Sequence, residues 1–177
     1  MAVYFLGHGQ TEANLEKVFA GQRDNSPLTE LGIEQGRQAG HKLKGADIAR
    51  ITSSSLQRCH ITAEKVAGVI GVTDLRVDDR IIEYDMGSLT GSPYTTISSS
   101  KELVSAEGAE DVSEFQKRVL DFLREYRASK LNSLMVSHAG VGRIIKATRQ
   151  DLDPRTFYDL PPYPAGHPIK LDLSWLS

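Results

Sequence analysis

The sequence predicts an α/β fold with a largely parallel sheet, and three observations carry that reading. Short apolar runs that read as strands alternate with longer stretches whose apolar residues recur at helical spacing. The first and fourth of these strands each run into a histidine beside small residues, Gly7-His8-Gly9 and His138-Ala139-Gly140. No internal repeat or linker breaks the order, so the 177 residues read as one domain, 1–177.

Ala2–Leu6 forms the first strand and Gly7 and Gly9 stop it. Residues 10–27 are polar and read as irregular. Thr29 caps a helix that runs to about Lys44, with Gly32, Gly36 and Gly40 on one face. Each glycine costs about 1 kcal/mol of helix propensity, which makes sense where a helix lies close against other backbone. Ile48–Ser53 is the second strand. Ser54 or Ser55 caps the next helix, whose buried face is Leu56, Cys59, Ala63, Val66, Ala67 and Ile70. Leu75–Val77 is a third strand, and a loop runs from it through Glu83 and Gly87 to Gly91. Ser98–Gly108 shows no clear pattern. Val112, Phe115, Val119, Phe122, Leu123 and Tyr126 define an amphipathic helix. Ser133–Ser137 is the fourth strand and Gly140–Arg149 a further helix. The tail holds five of the seven prolines, from Pro154 to Pro168, and reads as irregular. Ile169, Leu171 and Leu173 alternate with polar residues as a last strand.

Composition narrows the function. Hydrophobic residues are 40% and charged residues 25%, ordinary for a globular chain. Such a chain buries about 70% of its extended surface and needs no staples. Basic and acidic residues number 21 and 23, a net charge of −2, so nothing points to nucleic acid or an anionic membrane. The first apolar run is too short for a signal peptide, and no window reaches the ~20 apolar residues of a membrane span. Cys59 is the only cysteine, which fits a reducing, cytoplasmic setting.

The chemistry is expected at the carboxyl ends of the strands, where ligands bind in open α/β sheets. His8 and His138 both fall there. Arg58 lies in the first turn of the second helix. Helix N-termini attract anions, and a guanidinium adds a fork that matches phosphate oxygens. The other candidates have plainer readings. His41 and His60 lie on helix surfaces, His167 sits in the proline-rich tail, and Cys59 belongs to an apolar face. Asp78-Asp79 has no metal-ligand spacing, and a zinc site on His8 and His138 lacks a third ligand, so no metal is expected.

Five blocks in order resemble the histidine phosphatase superfamily, which includes the cofactor-dependent phosphoglycerate mutases. They are His8-Gly9-Gln10-Thr11-Glu12-Ala13-Asn14; Pro27-Leu28-Thr29-Glu30-Leu31-Gly32; Ser53-Ser54-Ser55-Leu56-Gln57-Arg58 with Thr62-Ala63; Glu83 with Gly87 and Gly91; and Val136-Ser137-His138-Ala139-Gly140. They cover about residues 2–146. The resemblance implies a three-layer sandwich, a mostly parallel sheet flanked by helices. It implies catalytic roles for His8, Glu83 and His138, and no cofactor. His8 would attack phosphorus and carry the phosphoryl group. Arg58, His138 and Asn14 would hold the phosphoryl oxygens, with Gly7 and Ala139 beside them. Glu83 would protonate the leaving oxygen and then activate water. Gln10, Thr11 and Arg23 are the candidates for the remainder of a small phosphorylated substrate.

The chain departs from the family pattern at one position. The signature begins Arg-His-Gly, and Gly7 stands in place of the arginine. The loss of one such donor typically costs about 10²–10³ in rate. Arg23 and Arg143 are the cations available to replace its charge. Gly7 could also occupy a backbone conformation with positive φ, which would strain an arginine.

Three functions are consistent with these residues. The first is a phosphomonoesterase working through a phosphohistidine, slowed by Gly7. The second is mutase-type phosphoryl transfer. The third is a phosphoryl-binding protein with weakened catalysis. Only 54 residues separate Glu83 from His138, little material for a lid. Asp85, two positions after Glu83, resembles the phosphatase branch. Both features favour the first.

Overall fold

A computed structural model describes residues 1–176. Five strands, β1 (Val3–Gly7), β2 (Arg50–Ser53), β3 (Leu75–Val77), β4 (Ser133–Ser137) and β5 (Ile169–Leu171), form one sheet in the order β3-β2-β4-β1-β5. β3, β2, β4 and β1 are parallel, and β5 closes one edge antiparallel to β1. The α-helices are α1 (Glu12–Glu16), α2 (Glu30–Leu43), α3 (Gln57–Ile70), α4 (Ser100–Val104), α5 (Val112–Ala128) and α6 (Ala139–Arg149).

Side chains of a strand alternate between its two faces, and both faces here are covered. Phe5 and Met135 join the apolar residues of α5 and α6, among them Phe115, Phe122, Val141 and Ile145. Leu6, Leu134 and Val136 join Ala39 and Leu43 of α2 and Cys59, Ala63 and Val66 of α3. The result is the expected three-layer sandwich. β4 is buried along its whole length, between β2 and β1.

The glycine stripe of α2 has the expected cause. A Cβ at Gly32 would stand 2.1 Å from the Gln10 carbonyl oxygen, and one at Gly40 would stand 2.7 Å from Val69 Cβ. α2 therefore packs directly on the segment after β1 and on α3.

Several boundaries differ from the sequence reading. β1 extends through Gly7, and β2 begins only at Arg50. Residues 10–27 are not wholly irregular: Thr11 caps the short α1 through a reciprocal pair of hydrogen bonds with Asn14. Ser98–Gly108 contains α4. The N-cap of α3 is Leu56, not Ser54 or Ser55, and no side chain caps it. Ser54 instead turns its hydroxyl inward. The last strand stops at Leu171.

Candidate active site

β1 and β4 are adjacent, with Gly7 in register with Ser137, so His8 and His138 leave the sheet side by side. Their rings meet edge to face with centroids 5.3 Å apart. The chain after His8 is fixed by backbone contact. A Cβ at Gly9 would stand 2.1 Å from Gly32 O, so only glycine fits. Gly9 N also donates to Thr62 Oγ1 at 3.1 Å. The Gly9 carbonyl so placed lies 2.7 Å from His8 Nδ1. A carbonyl only accepts, so Nδ1 carries the proton and the lone pair is on Nε2. Burial, with the Arg58 charge adding to it, lowers the His8 pKa to about 4. His8 is therefore neutral near pH 7, the state a nucleophile needs.

Arg58, in the first turn of α3, is 2% exposed. Its Nη1 donates to Asp24 O at 2.9 Å and its Nη2 to Gly21 O at 2.7 Å. These partners are carbonyls and leave its charge unneutralised. Its Nε is buried and has no partner among the described residues. A buried, partnerless N–H on a cation is costly unless an anion joins it.

His138 is fully buried. Its Nε2 lies 2.8 Å from Ser54 Oγ and 3.3 Å from Cys59 Sγ, whose thiol donates to Ser137 O at 3.3 Å. Burial is the main reason its pKa is lowered well below the usual value. His138 packs edge to face on the His8 ring and lines neither of the two cavities beside it. Its Nε2 is already in contact with Ser54, so the structure does not bring it to the phosphoryl oxygens that the resemblance assigns to it. Cys59 is a core residue, as read from the sequence, and burial pushes its thiol pKa far up.

Glu83 reaches the site from the segment after β3 and is 7% exposed. Oε1 accepts from Tyr84 N at 2.8 Å and Oε2 from Gly140 N at 3.1 Å. Burial raises its pKa, outweighing those two bonds and the charges of Arg58 and Arg143. A carboxyl group whose pKa is raised in this way suits general acid work better than an ordinary one. A Cβ at residue 140 would stand 2.2 Å from Glu83 Oε1, so glycine there is a condition for the carboxyl's position.

His8, Arg58 and Glu83 line one cavity of about 320 Å3, together with Thr11, Asn14, Ala139, Gly140 and Arg143. Phe19, Met86, Tyr94 and Tyr158 form its apolar wall. Thr11 and Asn14 serve first as the α1 cap, and Asn14 Nδ2 also donates to Tyr94 Oη at 3.2 Å. A second cavity, of about 410 Å3, adjoins His8 and is lined by Gly7, Gln10, Gln35 and Tyr163. Gln10 sits there, its side-chain oxygen accepting from Thr29 Oγ1 at 3.0 Å. Gly7 is not among the positive-φ glycines, and a Cβ added to it meets nothing within 4 Å.

Arg23 is a correction. It lines neither cavity but pairs with Asp85 at 3.0 Å on the surface, its side chain 55% exposed. A nearby carboxylate claims it. Arg143 does line the active cavity, with Nε bound to Leu160 O at 2.8 Å and its guanidinium stacked on Tyr158. The sequence reading missed the apolar wall and the contact between Gly140 and Glu83. Among the described residues, no group of three His, Cys, Asp or Glu is placed to hold a metal ion. No described helix is long and apolar enough to cross a membrane.

Comparisons with known proteins bear on this site. Residues 3–169 match the family model of the histidine phosphatase superfamily (branch 1). The chain is 38% identical over 102 residues to the probable phosphoglycerate mutase GpmB of Proteus mirabilis, and 39% identical to that of Cronobacter sakazakii. Each match covers 58% of this chain and 46% of the relative, so the aligned part spans just under half the length of these curated relatives. Among solved structures, a mycobacterial glucosyl-3-phosphoglycerate phosphatase is similar with a TM-score of 0.83 and 24% identity, over 97% of this chain and 90% of that one. The α-ribazole phosphatase of Shigella flexneri gives 0.80 and 21%, over 97% and 90%. These structural likenesses concern the fold. With the family model spanning almost the whole chain, and residues of four of the five motif blocks lining one cavity, the chain belongs to the histidine phosphatase superfamily.

Proposed function

We propose that the protein is a phosphomonoesterase that works through a phosphohistidine on His8. One observation carries this reading. A neutral histidine, its Nδ1 committed to a carbonyl, shares a cavity with a buried arginine that has an unpartnered Nε. That combination sets a lone pair beside a cation whose Nε–H can take an oxyanion.

In the first step His8 Nε2 attacks phosphorus and the ester P–O bond breaks. The carboxylic proton of Glu83 passes to the leaving oxygen. In the second step the Glu83 carboxylate takes a proton from water, whose oxygen attacks phosphorus and breaks the P–N bond. Phosphate leaves, and His8 and Glu83 return to their starting states. Arg58 offsets charge on the phosphoryl oxygens in both steps, the largest contribution such sites make. His138, Ser54 and Cys59 keep the His8 ring in place. Ala139 and Asn14 line the phosphoryl end, while Gln10 and Thr11 border the substrate. Gly7 leaves the site one cation short of the family signature. The substrate is a small phosphate ester, and the lone buried thiol Cys59 fits a reducing, cytoplasmic setting.

Mutase-type transfer is the second reading, favoured by the name of the curated relatives. A panel of phosphate esters, including the two phosphoglycerates, separates the two. The protein and its Gly7→Arg form should release phosphate from several esters. Interconversion of phosphoglycerates faster than hydrolysis would select the mutase. Binding of phosphate with no turnover in either form would leave only a phosphoryl-binding protein.

A further inference from the structure

The segment carrying Glu83 has little regular structure of its own. A single 3-10 turn, Asp79–Ile81, precedes it, and it lies in no strand. A carboxyl on such a segment is only as well fixed as the backbone beneath it. Yet the four carbonyls from Arg80 to Glu83 all accept hydrogen bonds from side chains elsewhere in the fold. Ser137 Oγ donates to Ile81 O at 2.7 Å, and Gln22 Nε2 to Glu83 O at 2.7 Å. The other contacts come from one residue. Arg118 Nη1 donates to Arg80 O at 2.9 Å and to Ile82 O at 2.7 Å, and its Nη2 donates to Glu83 O at 3.0 Å.

Arg118 is itself held. Its Nε and Nη2 grip the Glu110 carboxylate at 2.7 and 2.9 Å, and its guanidinium lies 4.7 Å from the centroid of the Phe115 ring. Both side chains of the pair are largely buried, 18% and 17% exposed. Glu110 reaches the other side of Glu83. Its Oε2 accepts from Asp85 N at 3.3 Å, its carbonyl from Tyr84 Oη at 2.5 Å, and its own N–H donates to Asp85 O at 2.9 Å. The pair thus holds the chain before and after Glu83, residues 80, 82 and 83 on one side and 84 and 85 on the other.

We infer that Arg118, set in place by Glu110, is a positioning residue for Glu83. It fixes the backbone from which the carboxyl reaches the cavity and so keeps that carboxyl on the N–H groups of Tyr84 and Gly140. Only a planar fork with several fixed donors can serve three carbonyls and a carboxylate at once. Lysine keeps the charge but not the fork. The inference rests on the acid–base role given to Glu83 above.

The test uses Arg118→Lys with two esters. 2,4-Dinitrophenyl phosphate has a leaving group that needs no proton, whereas propyl phosphate has one that does. A misplacement of about 1 Å can cost on the order of 10²-fold in a catalytic step. The kcat/KM for propyl phosphate, which reports the phosphorylation step alone, should fall about 10–100-fold, and that for the dinitrophenyl ester several-fold less. In a ¹³C-carboxyl titration, assigned by its loss in Glu83→Gln, the Glu83 signal should move further up, because the carboxylate loses the N–H groups of Tyr84 and Gly140 that favour ionisation. Equal losses on both esters, or an unmoved titration, would overturn the inference. If the wild type hydrolyses neither ester, the proposed function fails and the titration alone decides the positioning role. If Arg118→Lys does not fold, Glu110→Gln takes its place. That variant loosens Arg118 without removing it, and the same split between esters is expected in weaker form.

Discussion

His8 and His138 stand at the ends of adjacent parallel strands, whereas Glu83 reaches the same cavity from an irregular segment. On the histidine side, position follows from regular structure. The β1–β4 register sets the two rings side by side, and the Gly9–Gly32 contact places the carbonyl that selects the His8 tautomer. On the carboxyl side, side chains from distant parts of the chain supply what the backbone lacks: Gln22, Arg118 and Ser137. The proposed nucleophile is thus fixed by the sheet, and the proposed acid by a few replaceable contacts. Substitutions near Glu83 should spare the fold and disturb proton transfer, while those near His8 should act on phosphoryl transfer itself.

The largest expected effect separates these two sides directly. Glu83→Gln keeps the shape and removes the transferable proton. General acid catalysis is worth about 10²–10⁴-fold, so the loss in kcat/KM, which reports the phosphorylation step alone, should approach that range on an alkyl phosphate and be much smaller on 4-nitrophenyl phosphate. Equal losses on both esters would make Glu83 a structural residue. On the histidine side, Gly7→Arg should raise kcat/KM by about 10²–10³-fold if its guanidinium extends past His8 to the transferring phosphoryl group, as the family resemblance implies. The open space around Gly7 removes the steric objection. Thermal unfolding should show a normally folded variant. If such a variant gains nothing, the pocket has been rebuilt around another cation, and Arg143 is the one that lines it.

This contrast also explains what could be read from the sequence. Strand ends beside glycines and histidines were legible because periodicity marks the strands and small residues mark close approach. His8, Arg58, Glu83 and Ala139 line one cavity, whereas His138, Gly7, Gln10 and Arg23 do not line it. The short α1 was not legible, since its five residues are fixed by the Thr11–Asn14 cap and not by an apolar stripe. Arg23 looked available until Asp85, distant in sequence, was seen to pair with it. Arg118 lies between the apolar positions Phe115 and Val119 that marked this helix, and only the fold brings Glu110 and the Glu83 segment to it. Gly140 likewise reads as a ligand approach point, yet the group approaching it is the protein's own carboxyl.

Two smaller effects sharpen the comparison. Gly140→Ala sets a methyl group against Glu83 Oε1. Overpacking of this kind costs about 1–3 kcal/mol, so stability should drop by that order in urea unfolding. The rate on alkyl phosphates should fall about tenfold, near 1.4 kcal/mol in the barrier. An unchanged rate would show that the carboxyl need not stay where Gly140 N holds it. The last effect is in pH. His8 has its pKa lowered from 6.5 to about 4, chiefly by burial. Between those values the unfolded chain binds the extra proton, so this contribution is fully present above pH 6.5 and is lost as pH falls toward 4. The slope is at most about 1.4 kcal/mol per pH unit, on the order of 3 kcal/mol in all. His8→Asn should flatten the stability–pH curve in that window, and a curve unchanged by the substitution would place His8 in water.

The central claim is that His8 carries the phosphoryl group, and rapid quenching of the protein with ³²P-labelled 4-nitrophenyl phosphate tests it most directly. The account predicts acid-labile, base-stable label on the peptide containing His8, formed and lost at rates consistent with turnover and missing in His8→Asn. Label on Cys59 or on a serine, or steady turnover with no label on any peptide, would contradict it.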